Sequence, residues 1–204
     1  LKKMQYSFYL ESNSFSYEVP TELGKMDKLT GGFSLKSNEL CGDLPAEVEA
    51  LSSSVTWDWY VLSGNSIGTD CPGRPTVEPT LSVVPSPEPS ASPAPTATYS
   101  PSGLPTSAPT VTALNDYEAL SALYASIGDT FWNNWLQGDP CTNSWYGVSC
   151  RKGAVSDLYI SYTGATGTLP SEFGKLTGLT SAYLSFNSMT GTVPTEVGRL
   201  SNLE

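Results

Sequence analysis

The sequence predicts an α/β repeat solenoid. Parallel strands line its concave face, the convex side is irregular or 3-10, and a disordered Pro-rich linker joins two pieces. Three observations carry that reading. The segment GTLPSEFGKLTGL (Gly167–Leu179) returns as GTVPTEVGRLSNL (Gly191–Leu203), 24 residues later. Between the copies, Leu179-x-x-Ala182-x-Leu184-x-x-Asn187-x-Met189 has the L-x-x-L-x-L-x-x-N-x-L pattern of a unit that supplies one short strand. Such a unit cannot bury its apolar side alone, so neighbours must stack. Finally, eleven of the sixteen prolines fall between Pro72 and Pro109, which splits the 204 residues into two modest blocks. The division reads as the end of one array with its terminal cap (1–71), a linker (72–113), and a cap plus the first repeats of a second array (114–204).

The first block repeats with a period of 25. Leu1, Met26 and Leu51 align, as do Asn13 with Asn38 and Pro20 with Pro45. Phe8-x-Leu10-x-x-Asn13 and Phe33-x-Leu35-x-x-Asn38 are the strand signatures, with apolar residues alternating inward. The asparagine is expected to be buried, its amide serving backbone groups of adjacent coils. VPTELGK and LPAEVEA turn each coil back. The third coil departs from the period: Asn65 arrives two residues late, as expected of a terminal unit that ends the apolar stack. Trp57 and Trp59 read either as a cover for that end or as an aromatic platform for a ligand.

The stretch from Pro72 to Thr112 holds eleven Pro, seven Ser, seven Thr and three charged residues, with no apolar periodicity. It is expected to be extended and solvated, either a bare spacer or an O-glycosylated stalk. Structure resumes at Asn115, where Asn115-x-x-Glu118 reads as a capping box. Tyr117, Leu120, Leu123, Tyr124 and Ile127 share one helical face, and Gly128 ends the helix. Trp132, Trp135 and a ten-residue Cys141–Cys150 loop around Trp145 follow, able to cover the first coil's open end.

Helix, then Trp135-x-x-Gly138-Asp139-Pro140-Cys141, then Trp145-x-Gly147-Val148-x-Cys150, then G-x-L-P-x-x-x-G-x-L resembles the plant-type leucine-rich-repeat N-terminal cap followed by plant-type repeats. The resemblance implies a curved extracellular structure that recognises peptides, proteins or glycans, often as the ectodomain of a receptor-like protein or receptor kinase. Two features depart from the pattern. Thr163 stands where the first coil after the cap should carry Asn, and a Pro-rich tether between arrays is unusual for receptor ectodomains.

Chemistry finds little footing. The chain has no His, no phosphate-binding glycine loop and no metal-ligand cluster, so neither catalysis nor a cofactor or metal is expected. A net charge of −10 disfavours nucleic acid, and no stretch of about 18 apolar residues would span a membrane. Four cysteines without His read as disulfides and an oxidising compartment, hence the cell surface, cell wall or extracellular space. Four cysteines allow three connectivities. Local pairing, Cys41 with Cys71 and Cys141 with Cys150, places each bridge at the end of an array.

The expected ligand face consists of the outward strand positions. In the second block these are Asp157, Tyr159, Ser161 and Tyr162, then Ser181, Tyr183, Ser185 and Phe186 one coil later. The matching columns of the first block, Tyr9 with Ser34 and Ser12 with Ser37, are less aromatic. Exposed rings beside hydroxyls suit sugar faces or peptide side chains, although ordinary cross-strand packing also explains them. Three functions follow: a non-catalytic recognition or adhesion module, a structural cell-wall spacer, or the ectodomain of a receptor kinase.

The chain begins and ends within a repeat and so reads as a piece of a longer one. Leu1 carries the same repeat phase as Leu200. Two arrangements follow. Either the blocks are separate domains whose open strand edges invite association, or the first block docks on the second in the order cap, second-block coils, first-block coils, terminal cap.

Overall fold

A computed structural model describes residues 7–56, 58–72, 111–128 and 134–200. Trp57, Trp132 and nearly all of the Pro-rich stretch lie outside them.

Each repeat begins with a short strand whose alternate residues turn inward. In the first block these strands are β1 (Ser7–Tyr9), β3 (Phe33–Ser34) and β5 (Trp59–Tyr60). Each is followed by a second one: β2 (Ser14–Glu18), β4 (Glu39–Gly42) and β6 (Ser66–Ile67). The second block contributes β7 (Val148–Arg151), β8 (Ala154–Tyr159), β9 (Ser181–Tyr183) and β10 (Thr190–Gly191). The return path of each coil opens on a proline with extended backbone: Pro20, Pro45, Pro170 and Pro194. A proline fits there because the first turn needs no N–H from it. Three returns are single 3-10 segments, Thr21–Lys25, Ser171–Lys175 and Thr195–Arg199; the fourth is a short helix, α1 (Ala46–Ala50). Leu23, Val48, Phe173 and Val197 anchor them in the core.

The strands assemble into two sheets. One runs β5-β3-β1-β9-β8-β7, parallel except for the antiparallel β7–β8 pair; the other runs β10-β2-β4-β6, all parallel. Both sheets cross from one block to the other. Ser7, Phe8 and Tyr9 lie beside Ser181, Ala182 and Tyr183, and Ser14 lies beside Thr190. The blocks are therefore docked, in the order cap, second-block repeats, first-block repeats, terminal unit.

An asparagine in each repeat stitches it to the neighbour on the cap side. The Asn187 amide donates to Leu184 O in its own repeat (3.0 Å) and to Ile160 O in the next (2.8 Å). Asn13 does the same to Leu10 O and Leu184 O, Asn38 to Leu35 O and Leu10 O, and Asn65 to Val61 O and Leu35 O. Their carbonyls accept N–H groups from the same neighbours, for example Met189 N–H on Asn13 and Phe15 N–H on Asn38. Asn65 completes the series despite its late position. Thr163 ends the series because the next strand on the cap side, β7, runs antiparallel; its hydroxyl bonds to Ile160 O (2.8 Å). A departure in sequence thus marks the last rung.

Helix α2 (Val111–Ile127) starts four residues before the expected Asn115. Asn115 is therefore an interior helical residue and not an N-cap. No Gly or Pro interrupts Thr110 to Ile127, and Ala113 and Leu114 are strong helix formers, so the helix extends back toward Pro109. Ala119, Leu120, Leu123 and Ile127 bury the expected face, with Tyr117 at its rim. The end of α2 approaches the first repeat so closely that a Cβ on Gly167 would overlap Ser126 O.

Both disulfides form as expected, Cys41–Cys71 within the first block and Cys141–Cys150 within the second. Trp59 stacks on Phe33 (5.3 Å between centroids), which places it over the end of the core and not on an open platform.

Candidate recognition face

The outer face of the six-stranded sheet carries two adjacent rows of side chains. The first row contains Asp157, Ser181 and Ser7 of β8, β9 and β1, then Gly32 and Asp58, each one residue before β3 and β5. The second contains Tyr159, Tyr183, Tyr9, Ser34 and Tyr60. Parallel pairing fixes the register, so the tyrosines of three successive strands fall in line. Tyr159 and Tyr183 stack at 4.8 Å with planes 9° apart, and Tyr183 and Tyr9 at 5.3 Å and 18°.

This stack walls a groove of about 440 Å³ whose lining includes Ser7, Gly32 and Ser181, with Asp58 near one end and Asp157 and Arg151 near the other. Gly32 makes the groove continuous. A Cβ there would fall within 1.9 Å of the Tyr9 hydroxyl oxygen, so only glycine lets the Tyr9 ring lie across β3. The phenol then donates to Asp58 Oδ2 at 3.1 Å, two strands away. Burial, followed by that hydrogen bond and the Asp58 charge, pushes the Tyr9 phenol well above the usual range. Burial, then the charge of Asp157, also raises Tyr159. Both phenols therefore remain protonated donors at neutral pH.

The residues expected to bind ligand do not all share one fate. Tyr159 (47% exposed), Tyr162 (73%) and Phe186 (43%) are open, while Asp157, Ser161 and Tyr183 are half-buried. Ser181 and Ser185 face outward but are each only 5% exposed, hidden by the larger side chains around them. Tyr162 and Phe186 form a second stack (4.4 Å, 7°), in a row separate from the groove. Stacking changes what the aromatics offer. Tyr183 shows neither ring face, since Tyr9 covers one and Tyr159 the other, so the wall presents ring edges and phenol oxygens. Asp58 and Arg151 escaped the sequence reading. Asp58 lies one residue before a strand that had slipped out of the period, and Arg151 belongs to the antiparallel cap strand.

Below this face the cap closes the core. Trp135 and Trp145 pack at 5.4 Å, and each indole donates to a backbone carbonyl, Tyr146 O and Gln137 O respectively. Tyr124 and Tyr117 of α2 contact the same two indoles, and Cys141–Cys150 ties the loop to β7. Residues 113–151, which span this arrangement, match the family described as leucine rich repeat N-terminal domain. The matched segment is thus similar to a plant-type leucine-rich-repeat cap. This family is a non-catalytic interaction domain, and a mixed α/β chain with parallel sheets is compatible with a leucine-rich-repeat protein, a class that generally binds proteins. The cap and the two disulfides fit an extracellular location. No helix among the described residues is long and apolar enough to cross a membrane.

The cap also contains a group that the sequence pattern concealed. Asp116 lies on the apolar stripe of α2, three and four residues before Ala119 and Leu120, and is 1% exposed. Its Oδ2 accepts the Val155 N–H at 2.8 Å, which fixes the start of the first repeat strand to the cap helix, while Oδ1 has no partner among the described residues. Burial pushes its carboxyl up to about 6, against the lowering effect of the Val155 bond and with a further rise from the charge of Asp139.

Proposed function

We propose that the chain is a non-catalytic extracellular recognition module, a leucine-rich-repeat solenoid that binds an extended peptide or protein segment across the rungs of its concave face. The tyrosine-walled groove carries this reading. It crosses from Asp157 to Asp58, four strand spacings or roughly 19 Å, the length of about six extended residues. Ring edges and protonated phenols suit backbone carbonyls and apolar side chains, whereas sugar stacking needs open ring faces. Carboxylates near both ends favour a segment with positive charge, in keeping with a net charge of −10.

Peptide-display selection against the immobilised chain, counter-screened with Tyr183→Ala and Asp157→Asn, tests the reading. Selected peptides should lose at least tenfold in affinity to both variants and bind more weakly at high salt. Peptides that bind both variants as well as the parent would place recognition elsewhere.

A further inference from the structure

The groove is built from two parts of the chain that meet, among the described residues, at one seam. Ser7, Tyr9, Gly32 and Asp58 come from the first block; Asp157, Tyr159, Ser181 and Tyr183 come from the second. Most of the bonds that join the two parts repeat ones found inside a block. Leu184 N–H donates to Tyr9 O (2.9 Å) and Phe186 N–H to Glu11 O (3.0 Å), as Leu10 N–H donates to Ser34 O and Ile160 N–H to Tyr183 O elsewhere. Asn13 reaches Leu184 O across the seam at 3.0 Å, the distance at which Asn38 reaches Leu10 O within the first block. Neither disulfide crosses it. The 24- and 25-residue periods therefore present matching surfaces, and nothing in the bonding requires them to belong to the same molecule.

The path of the chain supports this. It leaves the first block at Pro72, beyond the terminal strands β5 and β6, and enters the second at Val111, in the cap. Those points lie at opposite ends of the stack, so neither attachment point lies at the seam. A first block seated on a neighbouring molecule makes the same contacts.

We propose that the β1–β9 seam is exchangeable: residues 7–72 of one copy seat on residues 111–200 of another, linking copies head to tail through composite grooves. The contact is heterologous, so it forms rings if the geometry closes and open chains if it does not. Tethering favours closure within one molecule up to an effective concentration of about millimolar, with exchange growing in proportion to protein concentration below it. The proposal stands on the seam and not on what the groove binds.

Full-length variants with one added cysteine test it. Ser7 and Ser181 are register partners on adjacent strands, close enough for a disulfide. Ser7→Cys and Ser181→Cys copies are mixed, held at 37 °C, oxidised, and resolved by non-reducing electrophoresis beside the S7C/S181C double variant. Exchange predicts a covalent dimer of one copy of each, rising about tenfold for each tenfold increase in concentration, while the double variant also closes within single chains. The proposal is overturned if the double variant closes in cis but the mixture gives no mixed dimer, because the seam is then private to one molecule. It is equally overturned if the double variant forms no bond. In both cases the tyrosines of the second block, and their test by peptide selection, remain independent.

Discussion

Replacing Asp116 with Asn should stabilise the protein at neutral pH, because the structure buries an acid where a neutral amide would serve better. The amide keeps an acceptor for the Val155 N–H and carries no charge into the core. The direction with pH follows from linkage. The folded carboxyl titrates at about 6 against an ordinary value of 3.8, so between these values the folded state holds a proton that the unfolded state has released. The stability contributed by the protonated acid is complete below about pH 3.8 and is lost as pH rises through about 6. At roughly 1.4 kcal/mol per unit, the loss comes to about 3 kcal/mol. For a chain of this size that amounts to roughly 6–12 °C in melting temperature. The assay is thermal unfolding by circular dichroism from pH 3.5 to 8 for parent and D116N, read as the difference between them so that other carboxylates cancel. The variant should melt within a degree or two of the parent at pH 3.5 and pull ahead between pH 4 and 7. A difference that stays flat with pH, or a variant that melts lower throughout, would show that Asp116 is not held as a buried acid.

Tyr183→Ala removes the centre of the tyrosine stack; losing two ring contacts should cost about 1–2 kcal/mol of stability, with a larger fractional loss in peptide affinity measured by titration calorimetry. Asn13→Ala breaks the amide bonds across the seam and strands the Met189 N–H, so chemical denaturation should show a loss of about 2–4 kcal/mol, with amide exchange rising first at β9 and β10. Gly32→Ala pushes the Tyr9 ring off β3 and away from Asp58; ultraviolet titration should then find one phenol ionising closer to its ordinary range. An unchanged titration curve would mean that Tyr9 does not depend on the gap at Gly32.

Much of this architecture was legible in the sequence because repeats state their geometry many times. The leucine spacing, the recurrent asparagines and the prolines before each return gave strands, ladder and turns, and local cysteine pairing gave both disulfides. What was not legible depends on neighbours brought together in space. Ser181 and Ser185 sit at outward positions but are buried, since accessibility on a strand is set by the side chains of the adjacent strands. The alignment of Tyr159 with Tyr183 follows from the repeat, yet the addition of Tyr9 and the covering of one ring face by the next do not, because they depend on the docking of the blocks and on how the rings turn once aligned. The bond from Tyr9 to Asp58 skips a strand and exists only because Gly32 is vacant of side chain. Asn115 and Glu118 resembled a capping box, but a short motif does not stop a helix from extending backward when no breaker precedes it. Asp116 was hidden in the same way: one polar residue within an apolar stripe reads as noise until Val155 N–H is found opposite.

The docking of the two blocks also fixes the order in which they come together. Contacts between neighbouring repeats of one block join residues about 25 apart, whereas Asn13 and Leu184 are separated by 171 positions. Closing so large a loop costs more chain entropy than any other step, so each block should acquire its own rungs before the pair meets, and the meeting should limit the rate. A circular permutant makes this visible. If Leu200 is joined directly to Lys2, taking the phase that Leu1 holds, and new ends are opened between Pro72 and Val111, the spatial order becomes the chain order. Almost every native contact then lies within one or two periods. Such a chain should refold severalfold faster than the parent while unfolding at a similar rate, since the same bonds must still break.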